Sequence, residues 1–197
     1  MSCPAGGVDE IVSGDHVCSM HTSVERRNEV LVPFLRDGLV AGHRCVAAVT
    51  DPDFSDLRGR LGSRAEVERW LVSGRLELLG VTERVSSPET SSVTKMVEFW
   101  ESAQSPAEDA GGYERVRVAA EASWWLPQVS GISQILQFES ILNLLSQRYS
   151  ASTLCMYDVG SLDGALMIDL VSTHPKLIVE GVWVDNPAYL PPEMLDG

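Results

Sequence analysis

Residues 15–48, DHVCSMHTSVERRNEVLVPFLRDGLVAGHRCVAA, constrain the fold more than any other stretch of the chain. Residues 16–20 read as a short strand. Leu31, Phe34 or Leu35, Gly38 or Leu39, and Gly42 then recur at helical spacing, with Arg26, Arg27, Glu29, Arg36 and Asp37 on the other faces. Thr22 or Ser23 suits the cap, with Glu25 reaching back as a partial capping box. Pro33 lacks an N–H and crowds the preceding turn, which predicts a kinked helix or one that starts late. Gly42 suits the left-handed residue past the helix end. Residues 45–49 read as a second strand. Strand, helix and strand in so short a span form a βαβ unit, and a parallel sheet follows.

A nucleotide-binding α/β protein keeps its phosphate loop at the first turn of such a unit. That loop needs clustered glycines, so that backbone N–H groups can approach phosphate, and a Lys followed by Ser or Thr. The turn here, Ser19-Met20-His21-Thr22-Ser23-Val24, has neither glycine nor lysine. A phosphate site at this turn is not expected.

Fifteen basic residues against 28 acidic ones give a formal charge of −13, and only Lys95 and Lys176 are lysines. Without a basic face to release counterions, neither nucleic acid nor an anionic membrane is an expected partner. No run approaches the roughly 20 apolar residues of a membrane span. The first ten residues lack the basic and apolar regions of a signal peptide, so a cytoplasmic location is the expectation. Cys3, Cys18, Cys45 and Cys155 are scattered with no C-x-x-C pair, which predicts buried thiols in strands and one loose thiol near the terminus.

Further along, helices are expected in a segment ending near Leu61, with Asp53 or Ser55 as its cap, and near residues 63–73, 93–104, 132–149 and 162–172. Strands are expected at 75–79, 113–122 and 153–157, with a broken pair over 177–184. Residues 82–92 and 105–112 read as loops. The alternation predicts a three-layer α/β sandwich on a mostly parallel sheet, with room for an antiparallel edge. Residues 1–13 read as a loose arm, 14–185 as the domain, and 186–197 as a proline-rich tail unable to pack.

Several blocks then resemble, in order, those of one family. They are His16-Val-Cys18, Pro33 to Gly42 (PFLRDGLVAG), Ser73 to Leu78 (SGRLEL), Gly112 to Glu121 (GYERVRVAAE), Phe138 to Asn143 (FESILN), Leu154 to Asp158 (LCMYD) and Thr173 to Lys176 (THPK). They resemble the MEDS sensory domain, named for methanogens, methylotrophs and DcmR. The resemblance implies a fold related to KaiC and RecA-type domains with the phosphate loop lost, and a sensory role toward small apolar or hydrocarbon-derived ligands. Members occur joined to a helix-turn-helix or to an ATPase of the kinase and anti-sigma type. This chain ends soon after the matching blocks, so its output is expected through a separate regulatory protein. His21 and His43 depart from the family's usual residues.

In α/β sheets the ligand crevice lies beyond the carboxyl ends of the strands. The pocket is therefore expected from His16, Cys18, His21, Glu121, Trp124, Trp125 and Asp158. His16 and Cys18 share a strand face, and H-x-C-x-x-H offers two or three metal ligands. The rest of a zinc set would have to come from Cys45, Cys155 or His174 through folding. A hydrogen-bonded histidine beside a buried thiol is the simpler expectation, so no metal set is assigned and the cofactor is left unknown. The adjacent tryptophans Trp124 and Trp125 cannot both face the core without a bend, so one is a candidate pocket wall, with ordinary core packing under a helix as the alternative. Glu121 stands at the pocket mouth, where capping or an ion pair competes with an acid–base role. Asp158 is expected to cap the following segment.

The function expected is a sensory domain that binds a small, apolar ligand and acts on a regulatory partner in transcription or anti-sigma control. The residues around 82–92 are expected to serve as the moving element. An enzyme of secondary or one-carbon metabolism using His21 or Glu121 in the same pocket remains an alternative. So does a docking module without a ligand. Oligomeric state, including a homodimer, is open.

Overall fold

In the parallel strands successive side chains point to opposite faces, and here both faces are apolar. Val46 and Ala48 alternate with Cys45, Ala47 and Val49, and all five are buried. A strand that is apolar on both sides needs helices above and below it. The computed structural model describes residues 12–50, 54–81, 93–104, 113, 115–123, 125–126, 132–179, 181–191 and 194. It supplies those helices.

The strands are β1 (His16–His21), β2 (Arg44–Val49), β3 (Leu76–Gly80), β4 (Val116–Glu121), β5 (Ser152–Asp158), β6 (Lys176–Val179) and β7 (Val182–Asp185). They form one sheet in the order β3-β2-β4-β5-β1-β6-β7, with β7 alone antiparallel. The helices are α1 (Val24–Val40), α2 (Ser55–Leu61), α3 (Arg64–Val72), α4 (Val93–Gln104), α5 (Ile132–Arg148) and α6 (Gly164–Ser172). On one face Leu31, Phe34, Leu35 and Leu39 of α1, with Leu57, Leu61 and Val67 of α2 and α3, pack on Val17, Ala47, Leu154 and Met156. On the other, Met96 and Trp100 of α4, Ile135, Phe138 and Leu142 of α5 and Leu170 of α6 pack on Cys18, Val118, Cys155 and Tyr157. This is the three-layer sandwich expected from the alternation of elements.

Local chemistry explains most element ends. Ser23 caps α1 by accepting from the Arg26 N–H. Ser63 and Glu66 form a reciprocal capping box on α3. Gly42 and Gly74 take positive φ of 90° and 71° just past α1 and α3. Asp163 caps α6.

Three expectations need correction. Helix α1 starts at Val24 and runs through Pro33, because the packing of Leu31, Phe34 and Leu35 outweighs one missing helical hydrogen bond. Ser55 is the first residue of α2 rather than its cap, and Phe54 precedes it without a capping side chain. The tail does pack at its start: Asn186 is buried and donates to the carbonyls of Val171 and His174, while the Leu190 N–H reaches Ser172 O. Prolines break up the tail, but a side-chain amide can still dock a segment. The loop expected to move, residues 82–92, lies outside the described residues, as does most of the expected arm.

Gly38 decides how closely α1 lies on the sheet. A Cβ there would stand 2.6 Å from Arg117 Cδ and 2.8 Å from Cys45 Sγ. Arg117, buried in β4, runs over the Phe34 ring at 5.5 Å and donates to Phe34 O at 2.9 Å, so it has little room to yield. Gly59 in α2 has nothing within 4 Å of the same point. Gly38→Ala is expected to lower the unfolding free energy by about 1–3 kcal/mol through overpacking. Gly59→Ala is expected to raise it by about 0.5–1 kcal/mol through helix propensity. Urea unfolding of the two variants checks both signs.

Candidate functional site

At the carboxyl rim of the sheet, the last residue of β4 presents a buried carboxylate. Glu121 Oε2 accepts from Arg27 Nη1 at 2.7 Å, the Thr50 N–H at 3.0 Å and the Thr50 hydroxyl at 2.6 Å. Arg27 projects from the first turn of α1, and Thr50 follows β2, so one carboxylate ties three elements together. The guanidinium also donates from Nε and Nη2 to Asn28 Oδ1, each at 3.1 Å, and Asn28 Nδ2 donates to Asp56 of α2. Burial alone would raise the Glu121 carboxyl. The Thr50 hydrogen bonds and the Arg27 charge outweigh it and hold the group below the usual carboxylate range.

His21 ends β1 beside this network, with Nε2 3.8 Å from Glu121 Oε1. Burial lowers its pKa against the pull of Glu121 and Asp158. Neither of its ring nitrogens has a hydrogen-bond partner among the described residues. It borders an open cleft of about 630 Å³ between the β1–α1 turn and the β6–β7 hairpin, with Thr22, Arg26, Glu29 and Ile178. Asp158 pairs in register with His21 and caps a 3-10 turn over Val159–Ser161, accepting from the Gly160 N–H at 3.0 Å.

A second space lies on the opposite face of the same rim. It is a small, almost wholly apolar cavity of about 20 Å³ under α4, walled by Leu79, Val81, Met96, Phe99, Trp100, Ala120, Ala122 and Phe138. Among the described residues Glu121 is its one charged lining residue. Trp125 is fully buried nearby with its ring centroid 4.6 Å from that of Phe138.

Deeper on that face sits a cluster that never meets water. His16 opens β1, Cys155 lies in β5, Glu139 in α5, and His174 between α6 and β6; each is at most 1% exposed. His16 Nε2 lies 3.2 Å from Cys155 Sγ and 3.3 Å from Glu139 Oε2, and His174 Nε2 lies 3.2 Å from the same oxygen. The Tyr157 hydroxyl donates to Glu139 Oε1. Burial would raise the Glu139 carboxyl, but His16 and His174 hold it far below the usual range. Burial, with the charge of His174, lowers His16. Burial pushes the thiols of Cys155 and Cys18 and the Tyr157 phenol well up. These four side chains are the ones with the donor types and proximity to hold a metal among the described residues.

Residues 15–175 match the family described as MEDS, the methanogen/methylotroph, DcmR sensory domain. The chain belongs to the MEDS family. It is 23% identical over 167 residues to the transcriptional repressor DcmR of Methylorubrum extorquens; the match covers 84% of this chain but spans only 60% of the repressor. The fold is similar to that of the flagellar accessory protein FlaH of Methanocaldococcus jannaschii, with a TM-score of 0.63 and 11% identity over 88% of this chain and 76% of that one. It is also similar to a KaiC-like protein of Pyrococcus horikoshii, with a TM-score of 0.51 and 14% identity over 87% of this chain and 76% of that one. The RecA/KaiC-like class expected from the sequence is the class observed.

Within this MEDS domain the expected pocket residues separate into two groups. Glu121, His21 and Asp158 gather at the rim. His16 and Cys18 do not join them, since His16 is at the opposite end of β1 and both face α5 and α6, whereas His21 faces α1. An even–odd difference along one strand sends them to opposite layers. His16 does lie beside a buried thiol, as expected, but that thiol is Cys155. Trp125 packs in the core, and Trp124 lies outside the described residues. Arg27, Glu139 and Asn143 were missed. The available signal was Glu139 itself, a carboxylate between Ile135 and Leu142 on the apolar stripe of α5.

Removing the Glu121 charge leaves Arg27 buried without its counter-ion, and breaking such a pair costs about 3–5 kcal/mol. Glu121→Gln is expected to lose about that much at pH 7 in urea unfolding. Because the folded carboxyl is depressed, its contribution is present above the unfolded value of about 4.3 and is lost as pH falls through the lower folded value. The gap between wild type and variant should therefore be full above about pH 5 and narrow toward pH 3.

Proposed function

We propose that this MEDS domain senses a small apolar molecule held at the carboxyl ends of β2, β3 and β4, and passes its state to a regulatory output. The observation that supports this most is the apolar cavity under α4. As it stands, its 20 Å³ admits about one water-sized probe, and a site with almost no polar lining gives water no partners. Met96 and Phe99 form part of its wall, and an unbranched thioether gives way readily to an entering group. Enlarging that space displaces α4, and a ligand that prefers the enlarged state shifts the population toward it. The similarity to a transcriptional repressor supports a regulatory readout. A β1–α1 turn without glycine or lysine supports loss of any nucleotide role.

Benzene and a graded series of short alkanes and alcohols are suitable probes. At a hundredfold excess over Kd, a ligand specific for the folded state adds about 2.7 kcal/mol, which corresponds to a rise in Tm of about 5–10 °C for a domain of this size. Tryptophan emission should change with the same saturation curve, because Trp100 walls the cavity. Ala120→Leu should abolish both responses by filling the space, and MgATP should give no thermal shift. Saturable binding unaffected by Ala120→Leu would place the site elsewhere.

A further inference from the structure

We propose that His16, Glu139, Cys155 and His174 form a closed four-ligand site for a divalent transition-metal ion, with zinc the best match to the donors. The site lies outside both the rim network and the apolar cavity, and it does not rest on the sensory reading.

The first support is geometry. The four donor atoms come from four separate elements and lie within 4.8 Å of one another. Tetrahedral zinc with bonds of about 2.0–2.3 Å sets its nitrogen, oxygen and sulfur donors about 3.3–3.6 Å apart. Four of the six separations, at 3.2, 3.2, 3.3 and 3.8 Å, bracket that range, and the other two stay within 4.8 Å, a gap that an entering ion would close.

The second is the direction of the imidazoles. His174 Nδ1 lies 2.7 Å from Leu170 O, which can only accept, so Nδ1 carries the hydrogen and Nε2 turns its lone pair inward. That Nε2 is buried and faces Glu139 Oε2 at 3.2 Å, an ion-pair distance without an aligned hydrogen bond. His16 is held in the same way. Asn143 Nδ2 donates to the carbonyls of Glu139 and Thr173, which leaves Oδ1, 3.0 Å from His16 Nδ1, as the acceptor. Two imidazoles fixed through Nδ1–H, with Nε2 converging on a carboxylate and a sulfur, is how proteins orient metal-binding histidines. Tyr157 orients the carboxylate from its other oxygen.

The third is charge. A divalent ion with one thiolate, one carboxylate and two neutral imidazoles is neutral, which suits a place with no exposure to water. Binding forms four coordinate bonds and releases the Cys155 proton together with the proton shared between Glu139 and the imidazoles; no electron moves. With four protein ligands no position is left for substrate. The ion would therefore bind the start of β1, β5, α5 and the α6–β6 junction to one another rather than do chemistry.

The test uses the untagged full chain, purified under reducing conditions from zinc-supplemented cells. Elemental analysis is expected to find close to one zinc per chain. Cobalt loaded in its place should show a thiolate charge-transfer band and the intense visible bands of four-coordinate cobalt. Cys155→Ser and Glu139→Gln should each lower occupancy at least tenfold. Cys45→Ser, a buried thiol on the other face of the sheet, should leave it unchanged. If a ligand variant does not fold, the wild-type cobalt spectrum decides alone. A folded wild type that takes up less than about a tenth of an equivalent of zinc and shows no cobalt–thiolate band would overturn the proposal. Occupancy lost equally in Cys45→Ser would also overturn it.

Discussion

A parallel sheet covered on both faces offers no water to a polar side chain, so a charge placed within it must find its partner inside the protein. Among the described residues two buried carboxylates meet that constraint, one on each face. Toward α1, Glu121 is satisfied by Arg27 and Thr50. Toward α5 and α6, Glu139 draws His16, His174, Cys155 and Tyr157 around it. Each carboxylate clamps helices to strands that the hydrophobic contacts alone would locate less uniquely. The Arg117 contact beside Gly38 and the docking of Asn186 add polar ties to backbone carbonyls, and apolar packing fills the space around them.

The two clamps differ in kind. The rim network is an ion pair with a permanently charged guanidinium, at the strand ends where this fold class places its crevice. The buried cluster has no fixed cation, and two of its members are imidazoles aimed at one oxygen. An ion pair and a converging set of lone pairs differ in what they answer to: the first to pH, and the second, on the proposal made above, to metal ions. Between them lies the apolar cavity under α4, bordered by Glu121 but otherwise lined by carbon. A molecule there would press on α4, which packs against α5, the helix that carries Glu139.

Much of the architecture was legible in residue order. Capping by Ser23 and Ser63, the glycines after α1 and α3, and the alternation of strands with helices all follow from local rules that need no distant partner. The candidate site was legible only in part. Glu121, His21 and Asp158 follow from the strand-end rule, since each closes a strand. His16 and Cys18 were placed with them because they sit on the same strand as His21, but two-residue periodicity puts odd and even positions on opposite faces. Helix α1 outlasted its proline because buried contacts outweigh one lost hydrogen bond, and no propensity records that balance.

Composition, spacing and blocks of motif thus determined that this chain forms a parallel α/β domain of the MEDS family, because apolar periodicity and turn chemistry act over a few residues. Which polar groups meet was decided only in three dimensions. Glu139 joins His16, Cys155 and His174 across gaps of 16 to well over 100 positions, and no local rule spans such distances. The partnership exists because strand order brings β1 beside β5 and β6, and because α5 lays its one buried carboxylate across them.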